Sequence, residues 1–576
     1  MKIEQSVLKE RMGIKLDGLS LPSITDQLAS PIILAAVLSA AALYLWPAPA
    51  EFPMDDAYIH LVYAESLVEQ GQLFFSDPKE KGVGASSILW VLLLGLGKYL
   101  GLSLVLTAKI LGIGALIVLG CGLYRLMRPH YPPWLALAAA LLVVLSGHLL
   151  WFALSGMETV LFLALGILAL LAYRKQSWGW MGVLLGLLVL TRVEGVLLAI
   201  VIGAIDIWRH RSIRRGLYLA GSVCALICLP WIIYLWLRTG YPLPTSGVGK
   251  RFSTITLLQL ATSSSPAMSW LSQYPALTYP LSWLGYTIEF ALGGYALPAP
   301  YINIGVGLKE YNYRLSVWAL LGLATVIVPL LWLSLRRLVK YIRTPGWMQD
   351  ERRLPFVILL AWTAIHNLSY MLYLPSIGTA SRYAALNHIL LWLGLVTGIW
   401  YASSQRSKLW LAAGLAAIVL ANTGYWNQVY DANIEHMRDV RIAAAHHLRE
   451  HIPGDAICAA IDIGALRYFS GRPIIDLAGL IEPGASQWYL DGRFDAYLLQ
   501  KNVNCLVLPG VDAAIGNQLF DVASGLGLSH SRLLTLNQVA VYAIDRQRWL
   551  TGYLPTMNYQ PLVKIYRVTK QMAETP

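Results

Sequence analysis

The apolar run Ile32-Ile33-Leu34-Ala35-Ala36-Val37-Leu38-Ser39-Ala40-Ala41-Ala42-Leu43-Tyr44-Leu45-Trp46 is followed closely by Met54-Asp55-Asp56-Ala57-Tyr58-Ile59. The first segment reads as a membrane helix. The second puts two adjacent carboxylates at its boundary, where they are costly unless solvated, paired or used. Ala48-Pro49-Ala50 faintly resembles the cleavage site of a secretory leader. A leader starts with a short basic region. Residues 1–31 are long and charge-balanced, with Lys2, Lys9, Arg11 and Lys15 against Glu4, Glu10, Asp17 and Asp26. The expectation is an uncleaved first span behind a cytoplasmic segment 1–31.

Working outward, the whole chain has the same character. Its 576 residues are 57% hydrophobic and 13% charged, against about 25% charged in soluble domains. That excludes a soluble or disordered protein. Lys and Arg number 44 against 32 Asp and Glu, a net charge of +12. In a membrane protein such a surplus follows the positive-inside rule, so nucleic acid is not an expected partner. Five cysteines are too few for a disulfide scaffold.

Further apolar runs lie near 87–100, 107–126, 134–152, 157–173, 178–191, 195–208, 216–237, 315–335, 354–374, 383–402 and 408–424. Basic loops set their orientation: Arg125/Arg128, Arg174/Lys175, 209–215, 336–353 and Arg406/Lys408 read as cytoplasmic. A first outer loop 50–106 and a large outer loop 239–314 follow. Parity then requires an odd number of crossings between 87 and 126. The run 87–100, short and broken by Lys98, is therefore expected in the outer interface. So is the amphipathic stretch 55–71, where Tyr58, Leu61, Val62, Ala64, Leu67 and Val68 recur at helical spacing. About eleven transmembrane helices result, with the N-terminus inside and the C-terminus outside.

The transmembrane region is expected over 32–428. After it charges return, as Asp431, Glu435, Arg438, Asp439 and Arg441. A helical stretch 433–451 precedes strand-like runs at 456–461, 473–477, 503–509, 538–544 and 562–568. This predicts an extracytoplasmic α/β domain over 429–576. Cys458 and Cys505 fall in two of its strands, as a disulfide or as two buried thiols.

Scarcity of charge makes the outer-face ionic residues informative. Besides Asp55 and Asp56 these are Glu65, Glu158, Arg192, Glu194, Lys250, Arg251 and Arg382, each at an outer helix end or in an outer loop. Tyr58, His60 and Tyr383 neighbour them in sequence. The bland accounts are a helix N-cap for the Asp pair, a self-satisfied Arg192/Glu194 pair, solvated Lys250 and Arg251, and a snorkelling Arg382. None of these explains why all converge on one boundary. A carboxylate can take a proton from a sugar hydroxyl, while Arg and Lys can hold a phosphate as charge develops on it. One base plus cations suffices for a single inverting displacement.

These residues sit in segments that resemble a known family: Asp55-Asp56-Ala57-Tyr58-Ile59, Tyr63-Ala64-Glu65-Ser66-Leu67, Gly84-Ala85-Ser86-Ser87-Ile88-Leu89-Trp90, Ser155-Gly156-Met157-Glu158-Thr159, Leu190-Thr191-Arg192-Val193-Glu194-Gly195 and Ser381-Arg382-Tyr383. The C-terminal part adds the segments 462–473 and 476–480. In that order they resemble the GT-C superfamily of polyprenyl-phosphate-sugar glycosyltransferases, and within it the actinobacterial branch that adds terminal β-1,2-arabinofuranose. The resemblance implies Asp55 or Asp56 as general base and Arg192 near the donor phosphate; Lys250, Arg251 and Arg382 are the further outer-face cations expected to hold that phosphate. Tyr58, His60, Glu65, Glu158, Glu194 and Tyr383 would support the site or the acceptor. It further implies a polyprenyl-phosphate sugar donor, a glycan, lipoglycan or protein acceptor, and a bacterial cytoplasmic membrane. Relatives usually read Arg-Pro-Glu-Gly where this chain has Arg192-Val193-Glu194-Gly195. Superfamily members acting on lipid pyrophosphates need a divalent cation, and those acting on monophosphates generally do not. No clear metal cage stands out, and a divalent cation is left open. The competing function is a transporter or flippase of lipid-linked sugars, which predicts internal repeats and a mid-membrane polar site. A membrane anchor carrying a partner-binding domain would leave the first-loop carboxylates unexplained.

Overall fold

The computed structural model describes residues 24–46, 51–251, 274–277, 279–280, 283, 287, 301–305, 312–316, 323–344, 347–482, 484–510, 522–545 and 562–571. Most of the segment 1–31 and of the loop 239–314 lies outside these residues. The first helices are α1 (Ile24–Leu45), α2 (Asp55–Gln70), α3 (Ile88–Tyr99), α4 (Leu104–Met127), α5 (Pro133–Val144) and α6 (Gly147–Leu154). Then come α7 (Thr159–Arg174), α8 (Trp178–Thr191), α9 (Val196–His210) and α10 (Arg215–Thr239). A hairpin β1 (Tyr301–Gly305) and β2 (Asn312–Ser316) precedes α11 (Val328–Ile342), α12 (Leu354–Tyr373), α13 (Ala385–Tyr401) and α14 (Gln405–His436).

Six stretches are long and apolar enough to cross a membrane: α1, α4, α10, α12, Thr379–Tyr401 with α13, and Gln405–His451 with α14. The pair α5 and α6, bent by 57°, makes a seventh if it is one span. The chain is a polytopic helical membrane protein. The eleven expected spans also include α7, α8, α9 and α11, which have 14 to 16 residues, fewer than the ~20 of a perpendicular crossing. The helix α3 has 12 residues, roughly 18 Å at 1.5 Å per residue, well short of a ~30 Å hydrocarbon core.

The run 134–152, read as one helix, breaks at Ser146. The backbone groups freed there find partners on α14: Gly147 N–H donates to Asn422 Oδ1 at 2.9 Å, and Thr423 Oγ1 donates to the Leu145 carbonyl at 2.9 Å. Such capture is what permits irregular backbone within a membrane body. Small residues let helices approach closely. A Cβ on Gly112 would lie 1.9 Å from the Ala153 carbonyl oxygen, so α4 and α6 touch backbone to backbone.

The composition change at 428 falls inside α14, which passes it unbroken. A π-helical turn, Met437–Ile442, then leads into α15 (Ala443–His451). The sheet that follows holds β3 (Cys458–Ala460), β4 (Ile474–Asp476), β5 (Cys505–Gly510), β6 (Leu534–Ala543) and β7 (Leu562–Lys570), in the order β4-β3-β5-β7-β6. The strands β4, β3 and β5 are parallel, while β7 runs antiparallel to β5 and β6. Period-two alternation sends Leu506 and Leu508 into a core with Phe494 and Tyr497, and Cys505 and Val507 into the main core. Cys458 and Cys505 face each other in register as free thiols. After β3, α16 (Gly464–Ser470) packs directly on α2.

That junction has no room for a larger residue. A Cβ on Gly464 would lie 2.2 Å from the Asp55 carbonyl oxygen, whereas one on Gly454 would meet nothing within 4 Å. Gly464→Val is therefore expected to lower stability by about 1–3 kcal/mol through overpacking. Gly454→Ala should stay within about 0.5 kcal/mol. Thermal unfolding in detergent would measure both, and equal melting of the two variants would refute the close approach.

Candidate active site

Consecutive helical residues point about 100° apart, so the two carboxylates at the start of α2 go to different places. The N-cap position of α2 is Met54, which makes no side-chain cap. Asp55 does cap a helix, but a distant one. Its two oxygens accept the Gly464 and Ala465 amides of α16, each at 2.9 Å, and its side chain is buried. Burial and the Asp462 carboxylate push Asp55 up to about 7, against the pull of Arg441 and the two amides. Asp462 itself is ion-paired with Arg441.

Asp56 turns to the other side, where it meets cations. Lys250 Nζ donates to its Oδ2 at 3.0 Å, and Arg382 Nη2 donates to the same oxygen. The side chain remains 26% exposed. Burial alone would raise this carboxyl, but Lys250 and Arg382 hold it well below the usual carboxylate range.

Arg382 is delivered by an unusual piece of backbone. Gly378, Ala380 and Ser381 all have positive φ, at 70°, 54° and 61°. For Ala and Ser this left-handed region is unfavourable, and such strain clusters where a site needs a side chain aimed. Histidines brace the loop from both sides. His148 Nε2 bonds the Ala380 carbonyl at 2.8 Å, and His366 Nε2 the Tyr383 carbonyl at 2.9 Å.

A second ionic group lies alongside. Between α8 and α9, a short 3-10 turn Val193–Gly195 re-enters the protein and carries Arg192 on its extended edge. Arg192 Nη1 donates to Glu158 Oε1 at 2.8 Å, Nε to Glu194 Oε1 at 2.6 Å and Nη2 to Tyr370 Oη at 2.9 Å. Tyr370 Oη in turn donates to Glu194 at 2.6 Å. The guanidinium lies 5.1 Å over the Tyr383 ring. Tyr383 stacks on Tyr370 at 4.9 Å, and Tyr370 on Tyr279 at 6.1 Å. Arg382 also donates to Tyr383 Oη at 3.1 Å, so Tyr383 joins the two ionic groups. Glu158 Oε2, His60 Nε2 and Arg382 Nε are buried with no hydrogen-bond partner among the described residues.

The structure thus brings together Asp56, Lys250, Arg382 and Tyr383, with Arg192, Glu158 and Glu194 adjacent. His60 is buried on α2, its Nδ1 3.3 Å from the Asp56 carbonyl. Glu65 is elsewhere, paired with Lys98 of α3 at 2.8 Å, because it sits nine residues along α2 from Asp56. Tyr58 serves packing: its hydroxyl accepts the Phe52 amide at 3.0 Å, and its ring lies 5.6 and 5.1 Å from Tyr468 and Phe469. Arg251 lies 5.0 Å over the Tyr373 ring. Tyr370, Asp462 and Arg441 were not assigned from sequence. Tyr370 sits in an apolar helix with no local signal, whereas Asp462 opens the 462–473 segment. Asp56 faces two cations, so these donors do not suit a divalent metal. Among the described residues no three His, Cys, Asp or Glu side chains converge as a metal cage.

Comparison with known proteins gives the fold. ArnT from Cupriavidus metallidurans bound to undecaprenyl phosphate superposes with a TM-score of 0.50 at 12% identity, covering 95% of this chain and 99% of that one. The oligosaccharyltransferase of Archaeoglobus fulgidus in the apo form gives 0.50 at 13%, covering 85% and 70%. The arabinofuranosyltransferase AftD from Mycobacteria gives 0.41 at 14%, covering 94% of this chain and 40% of that one. The first two share this chain's fold; the third is too distant to bear on the sugar. Residues 427–555 match a family model described only as a domain of unknown function, DUF8728. No curated protein matches.

The Asp55 contact has a pH signature. A carboxyl raised in the folded state contributes stability that is full below its unfolded value, near 4, and is lost as pH rises through about 7. Asp55→Asn keeps one amide acceptor without the charge. Wild type is therefore expected to lose thermal stability relative to Asp55→Asn as pH rises from about 4 to about 7, with no further loss above that. Parallel melting curves for the two across that window would exclude titration at this position.

Proposed function

We propose that this chain is an inverting glycosyltransferase of the GT-C type. It moves a sugar from a polyprenyl-phosphate donor to a hydroxyl of a cell-envelope glycan, lipoglycan or protein at the outer face of a bacterial cytoplasmic membrane. In this reading the N-terminus is cytoplasmic and the α/β domain over 429–576 is extracytoplasmic. Arabinofuranose is the sugar favoured by the sequence resemblance. The observation that carries the reading is the partly exposed Asp56 carboxylate held between Lys250 and Arg382.

The chemistry follows from that arrangement. The acceptor oxygen attacks the anomeric carbon, its proton passes to Asp56, and the carbon–oxygen bond to phosphate breaks with its electron pair going to the phosphate. Lys250 and Arg382 stabilise the departing dianion. The same two cations hold Asp56 weakly basic at rest. A donor phosphate that engages them draws their charge away from Asp56, and its basicity rises when substrate is present. Arg192 is committed to Glu158, Glu194 and Tyr370, so its role is to fix Tyr383 and the site wall. Asp55 joins the first loop to the α/β domain, which leaves Asp56 as the base.

Purified protein with a panel of polyprenyl-phosphate sugars, and product read by mass, tests this. Asp56→Asn is expected to lose at least about 100-fold in transfer. Asp55→Asn should stay within a few-fold, and Lys250→Ala and Arg382→Ala should raise the KM for donor. Full transfer by Asp56→Asn would sink the assignment. Donor moved across a bilayer with no glycosidic bond formed would replace the enzyme by a flippase.

A further inference from the structure

A large cavity lies far from this site. It holds about 1440 Å³ between α11, the first turns of α12, the second half of α13 and the α4–α5 turn. Arg382 and Tyr401, at opposite ends of the 379–401 stretch, are 19 residues apart, roughly 28 Å along a helix. The cavity therefore opens at the membrane face opposite Asp56.

Its lining changes along its length. Leu331, Leu335, Phe356, Leu390 and Leu393 make an apolar floor. The rim carries Arg337, Lys340 and Arg352. The acid in the lining, Asp350, is engaged by Arg353 at 3.3 Å. Arg337, Lys340 and Arg352 form no ion pair among the described residues. Tyr341 and Tyr401 stand at the transition, Arg337 lying 4.4 Å over the Tyr401 ring. Aromatic rings at that level mark a membrane–water boundary. From Val328 to Tyr341 the groove spans 13 residues of α11, roughly 20 Å. That is about one leaflet, half of a ~30 Å core plus its headgroup layer.

We infer that this groove is a binding site for an anionic glycerophospholipid of the leaflet opposite the active site. The acyl chains lie along Leu331, Leu335 and Leu393, and the phosphate is held by Arg337, Lys340 and Arg352. Basic pockets between membrane helices take anionic headgroups in this way. The exposure of Trp332 (58%) and Leu335 (51%) is the unfilled side of the groove. A bare phosphate would leave that apolar wall uncovered, so the occupant is a lipid.

The test is lipid retention by the full chain in nanodiscs of equal phosphatidylglycerol and phosphatidylcholine, read by native mass spectrometry after stepwise delipidation. Wild type should retain phosphatidylglycerol at least tenfold over phosphatidylcholine. Arg337→Gln/Lys340→Gln should cut that preference to twofold or less. Leu335→Trp, which blocks the apolar floor and keeps the charges, should also lose the lipid. Arg211→Gln/Arg215→Gln, removing two charges from another basic loop, should keep it. Equal retention of the two lipids, unchanged selectivity in the rim variant, or an equal loss in the control would overturn the site. So would displacement of the lipid by millimolar inorganic phosphate.

Discussion

Two amide hydrogen bonds to one carboxylate connect the parts of this molecule that sequence separates most widely. Asp55 lies at the start of α2, and Gly464 and Ala465 open a helix of the α/β unit more than 400 residues later. The contact needs a side chain short enough to sit at the junction, and a glycine at 464 so that the backbones can meet. Around it Tyr58 packs on Tyr468 and Phe469. The orientation of α2 follows, and so does the direction in which Asp56 points.

From there the ionic architecture obeys one constraint. A charge out of water must find a partner. Asp56 finds Lys250 and Arg382, and Arg192 finds Glu158 and Glu194. The two sets differ in how fully they are satisfied. Arg192 uses three donor nitrogens on protein acceptors and is closed to an incoming anion. Asp56 shares one oxygen between two cations and stays partly open. Tyr383 touches both, so the closed set acts as the anchor against which the open set is aimed.

Much of this could be read from residues alone. The five strands of the α/β sheet lie where the apolar runs placed them, and α2 lies within a residue of its amphipathic stretch. Asp56, Lys250, Arg382 and Tyr383 meet, as their shared boundary suggested. Three features were not legible. The break at Ser146 depends on acceptors and donors from α14, which no local pattern announces. The division of labour between Asp55 and Asp56 depends on which partner lies across each face of α2, a tertiary fact. Glu65 belongs to the same loop by sequence, yet the pitch of α2 carries it to Lys98.

The helix α14 passes from the membrane body into the α/β unit without a linker. Its 32 residues extend roughly 48 Å. It behaves as a strut, transmitting tilt and axial rotation from the bilayer to the sheet. The α-helical hydrogen bonding of the strut gives way to the wider π turn at Met437–Ile442. There the strut meets the same unit that Asp55 grips from the other side. Hydrogen bonds from Ser76 to the Ile474 carbonyl, from Arg467 to the Phe75 carbonyl and from Thr245 to the Leu480 carbonyl join the same two parts, so any separation of them has to break several contacts together.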